Sequence, residues 1–171
     1  MSTSAEPGLV RLRAVGYSDP VAQHLVARVQ QEYVVRYGGF DEAVVDPAEF
    51  SAPVGLFLVA EVDGVPAGCG GWRSFGNGVA EVKRMYVEPA FRRRGIAALV
   101  LVTLERSARE AGHRQLLLNS GDRQPEALAL YDRAGYVPVP GYGVYADAPD
   151  AVFLGKDLEV GQPEEDDAWA S

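Results

Sequence analysis

Apolar positions along this chain change period several times, and each change marks an element. Residues Leu9 to Val15 read LVRLRAV, with Arg11 and Arg13 alternating against Val10 and Leu12, which predicts an opening edge strand. From Asp19 the spacing becomes helical: Asp19 is an N-cap, Pro20 takes the first helical position, and Leu25, Val26, Val29 and Tyr33 form one stripe until Gly38-Gly39 stops it. Asp46, Pro47 and Glu49 have the spacing of a capping box and predict a short turn ending near Phe50. From Gly55 to Phe75 the pattern is that of two strands joined at Asp63-Gly64, a two-residue hairpin signal. A third strand follows the Gly76-Asn77-Gly78 turn and is ended by Pro89.

Beyond that strand, Ile96, Leu99, Val100, Thr103, Leu104 and Ala108 recur at helical spacing, with Gly112 closing the helix. The apolar run Gln115 to Asn119 then predicts a buried strand parallel to the one before the helix, a β-α-β unit with a right-handed crossover. Pro125 starts another helix and Gly135 ends it. A strand near Tyr136 to Val139, a Pro/Gly/Tyr loop through Asp150 and a closing strand around Val152 to Leu158 complete the chain. No repeat is present, so residues 9–158 form one α/β domain with a mixed sheet.

Composition narrows the function classes. At 171 residues, 47% hydrophobic and 23% charged, the chain suits one soluble domain with a full core. The one cysteine, Cys69, excludes an internal disulfide and a Cys-based zinc site, and the two histidines are too far apart for metal-ligand spacing. Cys69 falls mid-strand among glycines and reads as a small core residue, and His24 as a surface residue of the first helix. The first residues lack a positive n-region and an apolar h-region, and no run could span a bilayer, so a cytoplasmic protein without membrane contact is expected. A net charge of −8 argues against a nucleic-acid partner. Residues 1–8 are expected to be flexible, and the acidic stretch 159–171, with Glu164, Glu165, Asp166 and Asp167, to be a disordered tail.

The stretch Ala80 to Ala98, AEVKRMYVEPAFRRRGIAA, is where strand passes into helix through three arginines and Gly95. Unpaired N–H groups and the positive end of the helix dipole favour an anion there, and Gly95 lets backbone approach a phosphate closely. An Arg-rich turn capping a surface helix is the competing reading. Neither a Walker lysine nor a GxGxxG fingerprint is present. The loop resembles the pyrophosphate-binding motif of the GNAT acetyltransferases, at Arg92, Arg93, Arg94, Gly95, Ile96 and Ala97. A second block, QPEALALYDRAGY from Gln124 to Tyr136, is similar to the late helix of the same family. The resemblance extends over Leu9 to Leu158 but is specific only in these two blocks.

That resemblance implies a GNAT-like acyl-CoA N-acyltransferase fold: a mixed, largely antiparallel sheet with a central splayed parallel strand pair, flanked by helices. It implies acetyl-CoA as co-substrate, no metal, and transfer of acetyl to a primary amine, small-molecule or peptide, by direct attack in a ternary complex. The alternative is a non-catalytic acyl-CoA-binding sensor or interaction module. Met85, Tyr86 and Val87 would run along the pantetheine arm, with the Met85 N–H polarising the thioester carbonyl. Arg92 to Ala98 would hold the pyrophosphate, and Gln124 stands where many members have a cofactor-contacting Asn. Glu81 matches the general base of the histone acetyltransferase branch, with an exposed strand residue as the alternative, and Lys83 could pair with it. Tyr131 matches the tyrosine that protonates the departing thiolate, with plain packing as the alternative. Tyr33, Tyr37, Phe40, Trp72, Tyr142 and Tyr145 are acceptor-pocket candidates, and Glu32, Asp41 and Glu42 nearby would suit a cationic amine. The acceptor's identity is not legible at this level, and homodimer formation is left open.

Overall fold

The computed structural model describes residues 8–158, so the expected acidic tail, and the expected flexible N-terminus apart from Gly8, lie outside the described residues. In chain order the elements are β1 (Val10–Ala14), α1 (Pro20–Tyr37), β2 (Gly55–Val62), β3 (Val65–Gly76), β4 (Val79–Val87), α2 (Ile96–Glu110), β5 (Gln115–Gly121), α3 (Pro125–Arg133), β6 (Val137–Pro138) and β7 (Ala151–Asp157). They build one mixed sheet of order β1-β2-β3-β4-β5-β7-β6.

Local chemistry fixes the boundaries. The Asp19 carboxylate accepts from the Val21 N–H at 2.9 Å and from the Ala22 N–H, and Gly38, at φ 80°, closes α1. Asp63 and Gly64 have φ of 51° and 79°, the two left-handed residues of a type I′ turn, whose twist matches that of β2 and β3. The capping box forms as expected: Asp46 accepts from Ala48 N–H and the Glu49 carboxylate accepts from Asp46 N–H, each within 3.0 Å, over a 3₁₀ turn at Pro47–Phe50.

Strand alternation sends side chains into two apolar layers. One holds Val100, Leu101, Leu104 and Ala108 of α2, with Leu116, Leu118 and Tyr131; the other holds Leu25 and Val29 of α1 with Phe50, Phe57 and Cys69. Each fully buried Leu or Val contributes roughly 2 kcal/mol. A surface pair such as Arg13–Glu61 contributes about 1 kcal/mol at most, so apolar burial on both faces decides where the sheet sits.

Beta strand β4 determines the rest. It pairs in parallel with β5 only over Val79 to Glu81, opposite Gln115 to Leu117; past that point the two strands diverge. On its other edge, between the pairs Gly71↔Lys83 and Cys69↔Tyr86, β3 spends one residue and β4 spends two, Arg84 and Met85. This is a β-bulge, and Arg84 takes the left-handed φ of 62° that it requires. Opposite it, a Cβ on Gly70 would overlap the Met85 sulfur and press on Val100, so Gly70 lets the Met85 side chain lie close to β3. The buried Cys69 thiol donates to the Arg84 carbonyl at 3.2 Å and satisfies one group that the ladder leaves unpaired.

Candidate active site

Where β4 and β5 separate, a cleft of about 830 Å³ opens between them, roofed by the C-terminal half of α1 and reaching the N-termini of α2 and α3. Met85, Tyr86 and Val87 form one wall; Leu118, Asn119 and Ser120 form the other. The size suits a small-molecule ligand.

At one end, the loop after β4 makes a 3₁₀ turn at Pro89–Phe91 and enters α2 through Arg93 and Gly95, both left-handed with φ of 65° and 76°. Gly95 is the N-cap and offers no side-chain acceptor, so the first amides of α2 have no side-chain cap. Arg92, Arg93, Gly95, Ile96, Ala97 and Ala98 all line the cleft. Arg92 also clips the loop down: its Nε donates to the Val87 carbonyl at 3.0 Å and its guanidinium pairs with Glu32 of α1. Arg94 is the exception among the expected residues. It lies over the Phe91 ring, 5.4 Å from the centroid, and does not line the cleft. Gln124 does, with Ser120 Oγ donating to its Oε1 at 3.3 Å.

The two residues expected to move protons sit differently. Tyr131 lines the cleft from α3 while only 6% exposed, its ring edge-on to Tyr136 at 5.7 Å. Burial pushes its phenol up, which keeps the hydroxyl protonated and able to donate. Glu81 lies on the paired part of β4, is 3% exposed and does not line the cleft. Arg73 on β3 donates to its carboxylate from Nε and Nη2, both at 3.0 Å, and Arg73 also reaches Glu49 at 3.3 Å. Tyr142 sits beside Glu81: burial first, and then the neighbouring carboxylate, raise its phenol. Glu81 is therefore a buried, ion-paired residue and not an exposed strand position.

The bulge creates a second charged cluster. Because it adds one residue, Lys83 and Arg84 both reach Asp41, from the loop after α1: Lys83 Nζ lies 3.0 Å from Oδ2 and Arg84 Nη1 contacts the same oxygen. The Asp41 Oδ1 accepts from the Ala43 N–H at 3.0 Å and the Tyr145 hydroxyl at 3.1 Å. Burial alone would raise the Asp41 carboxyl; Lys83, the Ala43 N–H and Arg84 together overcome it and hold the group down at about 2. Lys83 and Arg84 are each 5% exposed, and both line the cleft.

Of the aromatic candidates, Tyr33, Tyr37, Phe40 and Tyr145 line the cleft. Trp72 and Tyr142 do not: Trp72 is core, donating from Nε1 to Ser107 Oγ at 3.0 Å, and Tyr142 packs between Phe75 and Phe153. Two of the three nearby acids are already committed, Glu32 to Arg92 and Asp41 to Lys83 and Arg84, which leaves Glu42 as the one of the three on the cleft wall outside these ion pairs. Sequence reading missed Arg84, Asn119 and Ser120. The polar Asn119-Ser120 ending on an apolar strand was a usable signal; Arg84 had none, since its placement depends on the bulge.

A splayed β4–β5 pair with a bulge on one strand and an anion-ready helix N-terminus at the end of the gap defines an acyl-CoA acyltransferase. Residues 21–136 match the acetyltransferase (GNAT) family, and the chain belongs to it. It is 31% identical over 153 residues to an IAA acetyltransferase from Azospirillum brasilense, covering 89% of this chain and 99% of that one. Its fold matches that of a Klebsiella pneumoniae protein described as an acyl-CoA N-acyltransferase, with a TM-score of 0.74 at 27% identity over 88% of this chain and 98% of that one. The PaiA N-acetyltransferase of Thermoplasma acidophilum, solved in complex with coenzyme A, has the same fold, with a TM-score of 0.67 at 15% identity over 87% and 99% of the two chains. Among the described residues no helix is long and apolar enough to cross a membrane, and no group of His, Cys, Asp and Glu could hold a metal.

Proposed function

We propose that this enzyme transfers acetyl from acetyl-CoA to a primary amine by direct attack within a ternary complex. The observation that carries this is the departure of β5 from β4 past Glu81, which leaves that edge of β4 without a ladder partner along a cleft leading to the α2 N-terminus, with the Arg84–Met85 bulge on the same stretch of strand. Pantetheine would pair with Met85, Tyr86 and Val87 as an added strand, with its pyrophosphate on the amides from Gly95 to Ala98. The Met85 N–H then hydrogen-bonds the thioester oxygen and gains strength as charge develops on it.

The amine must shed a proton to attack, because an alkyl amine with pKa near 10.4 is less than about one part in a thousand free at pH 7. Glu81 takes that proton through a water relay. Direct abstraction would need its carboxylate bare in the cleft, and Arg73 and burial keep it out. Attack forms the N–C bond; collapse of the tetrahedral intermediate breaks the C–S bond, and Tyr131 gives its proton to the leaving sulfur. The products are an amide and CoA.

The test is CoA release from acetyl-CoA over a panel of primary amines that includes peptides, beside calorimetric CoA binding. Amine-dependent release of CoA is the expected result. Tight CoA binding with no release for any amine would replace the enzyme by an acyl-CoA sensor on the same fold.

A further inference from the structure

The Lys83–Arg84–Asp41 cluster has more positive charge than its one carboxylate answers. Asp41 is saturated: each of its oxygens already accepts from two donors. Lys83 spends one of its three N–H bonds there, and the Arg84 Nε has no hydrogen-bond partner although the residue is only 5% exposed. The Tyr17 hydroxyl also lies beside the Arg84 guanidinium. Glu81, two residues before Lys83 on β4, is occupied by Arg73. Glu42, the remaining acid of the Asp41 loop, is exposed and pairs with neither cation. A buried cation without a counter-charge is costly, and an anionic ligand relieves that cost.

We infer that the acceptor is a small amine that carries its own carboxylate, an amino acid or close relative, and that Lys83 and Arg84 bind that carboxylate. This rests on the acetyl transfer proposed above. The charge count favours a monoanion: two cations and one carboxylate leave a single positive charge, which one carboxylate neutralises and a phosphate dianion would overshoot. Position favours a short acceptor. Arg84 immediately precedes Met85 on the bulge, so an anion held at Arg84 sits one residue from the proposed thioester site, and nitrogen and carboxylate are separated by only a few bonds. Arginine suits the role because its planar fork can bind a carboxylate with two parallel hydrogen bonds. Tyr33, also on the cleft wall, flanks the cluster closely enough that Asp41 and Arg84 act on its phenol in opposite directions.

The experiment compares each of the twenty protein amino acids, β-alanine and γ-aminobutyrate with its own primary amide, which keeps the amine and removes the negative charge. Two readouts run in parallel: CoA release from acetyl-CoA, and calorimetric binding to the CoA-saturated protein. At least one amino acid should exceed its amide by about tenfold or more in kcat/KM and in affinity. Lys83→Gln should raise the KM for that amino acid about tenfold or more with a smaller change in kcat, Lys83→Arg should restore most of it, and the Kd for CoA should stay near wild type. Amides that match or surpass their acids in wild-type protein would overturn the inference, and that comparison holds even if the Lys83 variants fail to fold. If no amine releases CoA, acetyl transfer fails, yet tighter binding of acids than amides to the CoA-loaded protein would still support the anion site, and equal binding would overturn it.

Discussion

The two ends of β4 carry the same kind of structure with opposite sign. At the paired end, Arg73 sits between two carboxylates, Glu81 and Glu49; at the splayed end, Asp41 sits between two cations, Lys83 and Arg84. Neither end is balanced. The first has Tyr142 beside it and does not line the cleft, and the second lines it. One strand thus divides its charged residues between a buried acidic end set back from the cleft and a basic end on the cleft wall, and the boundary is the point where β5 leaves. The lesson is that β4's pairing, more than residue type, decides which charges can meet a ligand.

Variants at the two ends should separate in size and kind. The largest effect is expected for Tyr131→Phe, which keeps the ring and removes only the hydroxyl: kcat should fall roughly 10²- to 10³-fold with CoA affinity near wild type. Wild-type kcat under conditions where chemistry limits the rate would reduce Tyr131 to a cleft wall. Glu81→Gln should lower kcat about 10²-fold at neutral pH, with the deficit shrinking as pH approaches the pKa of the amine. A small loss that is flat with pH would leave the paired end purely structural.

Gly95→Val tests the helix N-terminus. No atom lies within 4 Å of a Cβ built there, but φ of 76° is a left-handed conformation that a β-branched residue rarely adopts. CoA should bind about 10- to 100-fold more weakly to Gly95→Val, and only about 2- to 3-fold more weakly to Arg93→Ala, whose single cation is screened by salt. Calorimetry on the two variants decides between backbone and side-chain recognition.

The smallest effect concerns acid stability at the splayed end. The Asp41 carboxyl is depressed in the folded protein to about 2 from an ordinary 3.8, so its contribution is fully present above about pH 4 and is lost as pH falls through 2. That amounts to about 2 kcal/mol. Urea unfolding between pH 2 and 5 should show the decline in wild type, and Asp41→Asn should remove this part of it. Identical acid limbs in both proteins would mean that the cluster does not hold Asp41 ionised.

Much of the fold was legible because its signals are local. Asp19-Pro20, Asp63-Gly64 and Pro125 each set an element boundary through the chemistry of one or two residues, and the structure has them where they were read. The parallel β4–β5 pair followed from the helical spacing of Ile96 to Ala108 and the short apolar run Gln115 to Asn119 after it. The loop at Arg92 to Ala98 was read as an anion site, and its residues line the cleft except Arg94, which lies on Phe91. What was not legible depends on partners distant in sequence. Glu81 was read as a general base with an exposed strand residue as the alternative, and its burial against Arg73 was hidden because Arg73 belongs to a neighbouring strand whose register the sequence does not reveal. The commitment of Asp41 to Lys83 and Arg84 spans more than 40 residues and depends on the bulge. No propensity marks Arg84 as left-handed, and without that the two basic residues would be assigned to opposite faces of the sheet.

The bulge has a further consequence for how this strand can vary. Because it consumes one residue, Lys83 and Arg84 share a face, and Met85, Tyr86 and Val87 resume the alternation with their faces exchanged relative to an uninterrupted strand. Substitution along β4 changes one contact at a time, and deleting Arg84 would regularise the strand with Met85 and Tyr86 on their present faces, whereas flattening the bulge with its residue count kept would turn Met85 toward Asp41 and Tyr86 toward the α2 layer together. The extra residue is thus the means by which β4 presents two adjacent basic side chains on one face without disturbing the apolar alternation on either side of it.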